Sequence, residues 1–183
     1  MKIVIVAGSN RKEASSTRLA EYIKLIMESK GIQVSFIDLY KTALPFYSPD
    51  EINGEHEGLS VMKKAMQQAD GIVLSSPEYH GSMTGVLKNA LDHVGQDQIG
   101  GKAVLSVSSA GGAVGVSTLQ HMQATVRNLH GINCPEWISI GGEQRISFMG
   151  PLDEGAMNPN LKLRIHKAID TFLQLATVLG KRE

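Results

Sequence analysis

Ile3-Val4-Ile5-Val6-Ala7 is an unbroken apolar run dominated by β-branched residues. Such a run is the pattern of a strand covered on both faces, as in the parallel sheets of α/β proteins. Gly71-Ile72-Val73-Leu74-Ser75-Ser76 and Ala103-Val104-Leu105-Ser106-Val107-Ser108 repeat it. Helical stripes lie between the runs. Leu19, Ile23, Ile26 and Met27 share one face of a first helix, which Gly31 closes as its C′ residue. Leu59, Met62, Met66 and Ala69 mark a second helix, Leu87, Ala90, Leu91 and Val94 a third, and Leu119, Met122, Val126 and Leu129 a fourth. A last one runs from about Asn160 to Leu179. Gln33 to Asp38 alternates with period two, so the second strand should be less buried than the first. Glu136 to Ile140 reads as a short fifth strand, and Leu44 to about Gly58 as a loop.

Five strands interleaved with five helices predict a three-layer α/β fold, a five-stranded parallel sheet of order 2-1-3-4-5 with helices on both faces. A chain of 183 residues is expected to form one domain over residues 1–183, burying about 70% of its unfolded surface without help from metal or disulfide. Lys plus Arg and Asp plus Glu each number 18, so no single-sign field draws in nucleic acid or an anionic membrane. The lone cysteine, Cys134, can form no internal disulfide, and no stretch approaches the roughly 20 apolar residues of a membrane span. A cytoplasmic protein is expected. The six His residues show no metal-ligand spacing, so no metal is expected.

This fold places chemistry beyond the carboxyl ends of strands one, three and four. The first of these loops, Gly8 to Arg18, opens a helix whose free N–H groups and dipole favour an anion. Ser9, Ser15, Ser16 and Thr17 add hydroxyls, and Arg11 offers a fork that matches phosphate oxygens. The residues alone leave a plainer alternative open, in which Ser16 or Thr17 caps the helix and Arg11 is solvated. Glu13 opposes an anion unless its side chain points outward. There is no G-x-G-x-x-G and no G-x-x-x-x-G-K-[ST], so neither a Rossmann dinucleotide site nor a P-loop is indicated.

The second loop is more specific. Ser76-Pro-Glu-Tyr-His-Gly-Ser-Met-Thr-Gly-Val-Leu-Lys-Asn-Ala-Leu-Asp92, together with Gly8-Ser-Asn-Arg11, resembles the NAD(P)H-dependent FMN reductases of flavodoxin-like fold, which include flavin, azo-dye, quinone and chromate reductases. The resemblance implies that Ser9, Arg11, Ser15, Ser16 and Thr17 hold the FMN phosphate, and that Pro77, Glu78, Tyr79, His80 and Gly81 wrap its ring. It also implies NADPH or NADH as hydride donor, a small-molecule electron acceptor, and a homodimer or homotetramer using the helix from Thr84 to Val94. Family members often carry Asn where this chain has Thr17 and His80, and their first loop is one residue shorter. The register at Ser15 and Ser16 therefore stays open. Independently of any family, Pro77 fixes the chain, while Gly81 and Gly85 let backbone N–H groups approach the polar edge of a flat ring.

The third loop, Ser108 to Gly115, carries nothing larger than Val, so a ring could lie against Ser108, Gly111 and Gly112; a flexible connector is the alternative. No acid–base dyad is demanded, because a flavin carries the reactivity and the protein supplies binding, orientation and charge stabilisation. One shared site implies ping-pong kinetics. The rival function is a flavodoxin-like electron carrier, or an FMN-binding regulatory module, without NAD(P)H activity. Carriers of that kind are usually acidic, so zero net charge and Arg11 favour the reductase. Lys12 and Arg18 are the basic residues that would favour NADPH over NADH.

Overall fold

The structure, a computed structural model, describes residues 1–50, 56–151, 155 and 157–180. Its strands are β1 (Lys2–Ala7), β2 (Gln33–Asp38), β3 (Gly71–Pro77), β4 (Ala103–Ser109), β5 (Ile132–Asn133) and β6 (Ile138–Ile140). They form one parallel sheet of order β2-β1-β3-β4-β5, with β6 also paired to β4. The expected topology is present, but the expected fifth strand is corrected. Residues 136–140 do not make one strand. The chain pairs first at Ile132–Asn133, alongside Ala103 and Val104, and again at Ile138–Ile140, alongside Val107 to Ser109. Pro135 stands between the two and has no N–H to donate, which breaks the ladder there.

The helices are α1 (Ser15–Ser29), α2 (Glu57–Gln68), α3 (Gly85–Asp92), α4 (Gln96–Ile99), α5 (Val116–Asn128) and α6 (Pro159–Leu179), with a 3₁₀ helix at Gly142–Phe148. Period-two alternation along β1 divides the core. Ile3, Ile5 and Ala7 join Leu19, Ile23, Ile165 and Phe172 of α1 and α6 on one face. Val4 and Val6 join Met62, Met66, Leu87 and Met122 of α2, α3 and α5 on the other. Each large side chain so buried contributes about 1.5–3 kcal/mol relative to exposure.

Local chemistry sets the helix ends. Gly31 has φ +76 after α1, and the N–H groups of Gly31 and Ile32 donate to the carbonyls of Glu28 and Met27, a Schellman closure. Asn158 caps α6, with Pro159 in its first turn. The expected loop ends earlier than Gly58, because His56 Nδ1 accepts the Leu59 N–H at 3.2 Å and starts α2; residues 51–55 of that loop lie outside the described residues. The alternating strand β2 is the less buried, as its pattern predicted. Among the described residues, no helix is long and apolar enough to cross a membrane.

Candidate active site

The first two loops are locked together at their base. Gly8 donates to the Ser75 carbonyl at 2.7 Å, and a Cβ on Gly8 would stand 2.9 Å from that oxygen and 2.7 Å from Leu87 Cβ. Only glycine lets the chain leave β1 so close to α3. Thr84 completes the lock: its hydroxyl donates to the Gly8 carbonyl and accepts the Leu87 N–H at 3.1 Å, capping α3. Its own N–H donates to Ser76 Oγ at 3.0 Å. Beyond Pro77 the chain turns through a two-residue hairpin, with Tyr79 and Ser82 exchanging backbone hydrogen bonds of 3.0 and 3.1 Å. His80 and Gly81 at its tip have φ +53 and +76, the positive pair that a type I′ turn requires. His80 is therefore a turn residue in a conformation that Asn adopts more readily, which gives a physical sense to its difference from the family.

These loops wall a cleft of about 270 Å³. Arg11, Glu13, Ala14 and Ser15 line it from the first loop, Pro77, Glu78 and Tyr79 from the second, and Ser109 and Gly111 from the third, with Arg145 and Met149 beyond β6. Ser15 Oγ lies 2.8 Å from Ser109 Oγ and joins the first loop to the third. Arg11 also lines a neighbouring groove of about 340 Å³; Thr17 lines that groove and not the cleft, and Ser9 and Ser16 line neither. The Glu78 carboxylate is held by α5: Thr118 N–H and hydroxyl both donate to Oε2, at 3.4 and 3.1 Å. It supplies a cap that Gly115, with no side chain, cannot. Glu13 stands at the rim of the cleft, its side chain 67% exposed and 3.4 Å from Arg18 Nη2.

The start of α1 is left open. Its N-cap is Ala14, with no side-chain cap, so neither Ser16 nor Thr17 plays the capping part. Ser16 Oγ and Thr17 Oγ1 are buried without a hydrogen-bond partner. Ser9 is fully buried and its Oγ accepts the Arg11 N–H at 3.1 Å, which bends the loop. Two hydroxyls and an arginine side chain without partners among the described residues, at an uncapped helix start, fit a bound phosphate monoester such as that of FMN.

Other expected residues lie elsewhere. Ser108 is turned away, its hydroxyl donating to the Gly115 carbonyl at 2.9 Å and lying 3.2 Å from Ser139 Oγ. Gly112 does not line the cleft; its carbonyl accepts from Gly142 N–H at 2.8 Å. His80 and Gly81 sit at the hairpin tip, outside the lining. Arg18 is not an unpaired base, because Nη1 donates to the Gly150 carbonyl at 3.0 Å. Cys134 is buried, and burial pushes its thiol pKa up, the state of a packed group rather than a nucleophile. Among the described residues no cluster of three or more His, Cys, Asp or Glu could hold a metal ion.

Sequence reasoning missed Glu13, Ala14, Ser109, Arg145 and Met149 as lining residues; Glu13 and Ala14 lie in the first loop beside residues that were expected. Strand parity carried the signal for Ser109. Leu105 and Val107 pack on the α1 side, so Ser109, two residues on, must face α1 and Ser108 must not. For Arg145 and Met149 no local pattern was available, since a 3₁₀ segment after a three-residue strand has no periodicity to read.

A family model described as NADPH-dependent FMN reductase matches residues 1–144. The FMN-dependent NADPH-azoreductase of Staphylococcus saprophyticus is 34% identical over 182 residues, covering 94% of either chain. The NADPH azoreductase of Bacillus sp. strain OY1-2 is 29% identical over 170 residues, covering 92% of this chain and 89% of that one. Among solved structures, the apo form of an NADH:FMN oxidoreductase superimposes with a TM-score of 0.76 at 21% identity, covering 100% of this chain and 96% of that one. The chain belongs to the NADPH-dependent FMN reductase family, FMN-dependent oxidoreductases that draw electrons from NAD(P)H.

Proposed function

We propose that the cleft between the three loops is the FMN site, and that a reduced nicotinamide and a small electron acceptor use it in turn. The observation that carries this reading is the uncapped start of α1, where Ser16 and Thr17 bury hydroxyls with no hydrogen-bond partner among the described residues and Arg11 lines the adjoining cleft. They would hold the phosphate together with Arg11 and the first N–H groups of α1. Pro77, Glu78, Tyr79, Ser109 and Gly111 wall the rest of the cleft and would hold the ring, Gly111 by offering bare backbone. Bound FMN supplies the redox chemistry, accepting hydride from NAD(P)H and passing the electrons on.

The chain's own groups then act as a rigid mould. Thr84, Gly8 and the hairpin fix the backbone; Ser109 and Ser15 tie the third loop to the first. The Glu78 carboxylate is held at the start of α5. No side chain needs to exchange a proton. Because a single cleft serves donor and acceptor, the kinetics should be ping-pong. The azoreductase relatives make an azo compound the acceptor of choice for assay.

We further propose that residues 1–183 act as one domain, in the cytoplasm, as a homodimer or homotetramer. Support for a partner surface comes from α3 and the segment lying on it. Asn89 donates to the Pro45 carbonyl at 2.8 Å and accepts the Tyr47 N–H at 2.9 Å, which presents the exposed Phe46 and Tyr47 beside that helix.

The test is the visible spectrum of purified protein, followed by anaerobic addition of NADPH or NADH. A yellow protein that bleaches, with NADPH the better donor, and parallel double-reciprocal lines with an azo acceptor are expected. A colourless protein that ignores excess FMN would sink the reading, and intersecting lines would remove the shared cleft.

A further inference from the structure

The segment from Gly141 to Gly150, a strap that brings Arg145 and Met149 to the cleft, is anchored at several points. A Cβ on Gly141 would run into the carbonyls of Gly112 and Ala113, so the strap lies directly on the third loop. Phe148 is fully buried, its ring 6.1 Å from that of Tyr22 in α1. Arg18 holds the Gly150 carbonyl. Arg164 of α6 donates to the Ser139 carbonyl at 2.6 Å and to Gln144 Oε1 at 3.0 Å. Two arginines thus pin the strap from outside.

The third arginine of this region, Arg145, does something else. It lines the cleft, and its Nη1 stands 3.7 Å from where a Cβ on Gly111 would be. Its Nε is buried without any hydrogen-bond partner. The two carboxylates of the cleft are engaged elsewhere, Glu78 by Thr118 and Glu13 by Arg18. A half-buried guanidinium that lines the cleft, with no acceptor for its Nε among the described residues and with the nearby carboxylates held by Thr118 and Arg18, is a site for an oxyanion. Met149, 65% exposed, lines the same cleft, and Ile146 and Tyr79 stand exposed in the same two segments. Cation and apolar rim together suit an aromatic body carrying an acidic group. Arg145 lies one residue beyond the stretch that the family model matches.

We propose that Arg145 selects electron acceptors that carry an oxyanion, a sulfonate or carboxylate on an aromatic frame. This rests on the cleft being the FMN site, whose phosphate has its own partners in Arg11, Ser16 and Thr17. The anchored segment fixes the backbone from which Arg145 extends before substrate arrives, which lessens the ordering that opposes binding.

The experiment compares wild-type holoprotein with R145Q and R145K. The probes are naphthalene-2-sulfonate and naphthalene-2-sulfonamide, which share one frame and differ in charge. Dissociation constants are read from the perturbation of the bound flavin's visible absorption, without turnover. The wild type should prefer the sulfonate by about ten- to a hundredfold, the range of a charged hydrogen bond. R145Q should abolish the preference and R145K should restore part of it, each compared as yellow holoprotein.

A wild type without the preference, or an R145Q protein that keeps it, overturns the proposal. So does an R145Q protein that loses FMN, which would assign the guanidinium to the cofactor. Slower anaerobic bleaching by NADPH in R145Q with the sulfonate preference intact would assign it to the dinucleotide and likewise overturn the proposal. If the wild type itself holds no FMN, the FMN reading of the cleft fails first and this inference falls with it. That outcome is separate from a yellow wild type that fails to discriminate the probes.

Discussion

The loop after β3 and the loop after β1 stand side by side and are built on opposite plans. From Pro77 to Thr84, the described hydrogen bonds are internal or run to neighbouring elements: the hairpin closes on itself, Thr84 caps α3 and grips Gly8, and Glu78 reaches α5. From Gly8 to Thr17, Ser9 bends the chain and Ser15 meets Ser109, but the start of α1 is uncapped and Ser16 and Thr17 bury hydroxyls that nothing satisfies. The protein completes one loop by itself; in the FMN reading proposed above, the other is left for the phosphate to complete. Changes in the second loop should therefore cost stability with or without FMN, whereas changes in the first should be felt through FMN.

The largest effect expected from this contrast is at Thr84. Thr84→Val keeps the shape and removes the hydroxyl that caps α3 and holds the Gly8 carbonyl, both in a buried setting. A lost cap plus an orphaned buried carbonyl should cost about 2–4 kcal/mol. Denaturant unfolding of the apo-protein should show it as a lower midpoint with an unchanged slope. An apo-protein of wild-type stability would mean that the lock between the two loops carries no weight, and the contrast between them would dissolve.

Arg11 should behave in the reverse way. Its side chain is exposed and makes no ion pair among the described residues, so Arg11→Gln should leave apo unfolding where it was. With FMN the loss of a charged hydrogen bond to phosphate should weaken binding by about 1.5–3 kcal/mol, roughly ten- to a hundredfold. Fluorescence titration of apo-protein with FMN measures this. Comparison with riboflavin sharpens it, because the penalty should vanish for a ligand without the phosphate.

The two loops also differed in how far they could be read beforehand. The fold was legible because buried runs such as Ile3 to Ala7 and stripes such as Leu19, Ile23 and Ile26 follow periods that only strands and helices satisfy. The second loop was legible as a block, since its residues act where they stand in the chain. In the first loop the residue types were visible but not their division of labour: whether Ser16 capped the helix or waited for a ligand depends on where Ala14 enters α1, a matter of backbone geometry. The β5–β6 break was open to reading at Pro135, which removes a ladder donor, yet the apolar pattern of residues 136–140 masked it. Arg145 was not legible, because the strap that leads from β6 to the cleft owes its path to contacts with Tyr22, Arg18 and Arg164, each remote in sequence.

The smallest expected effect is the most discriminating, because its sign changes with the ligand. Ser16→Ala and Thr17→Val each delete a buried hydroxyl that has no partner in the free protein. An unsatisfied buried hydroxyl destabilises the fold, so its removal should leave apo stability unchanged or raise it by up to about 1 kcal/mol. For FMN each hydroxyl should contribute a neutral-type hydrogen bond, so each variant should bind the cofactor about two- to tenfold more weakly. Thermal unfolding with and without saturating FMN reads both at once: the FMN-induced rise in Tm should shrink while the apo Tm holds or climbs. If instead the apo Tm falls and the FMN increment is preserved, these hydroxyls belong to the packing of α1. The first loop would then be as self-sufficient as the second.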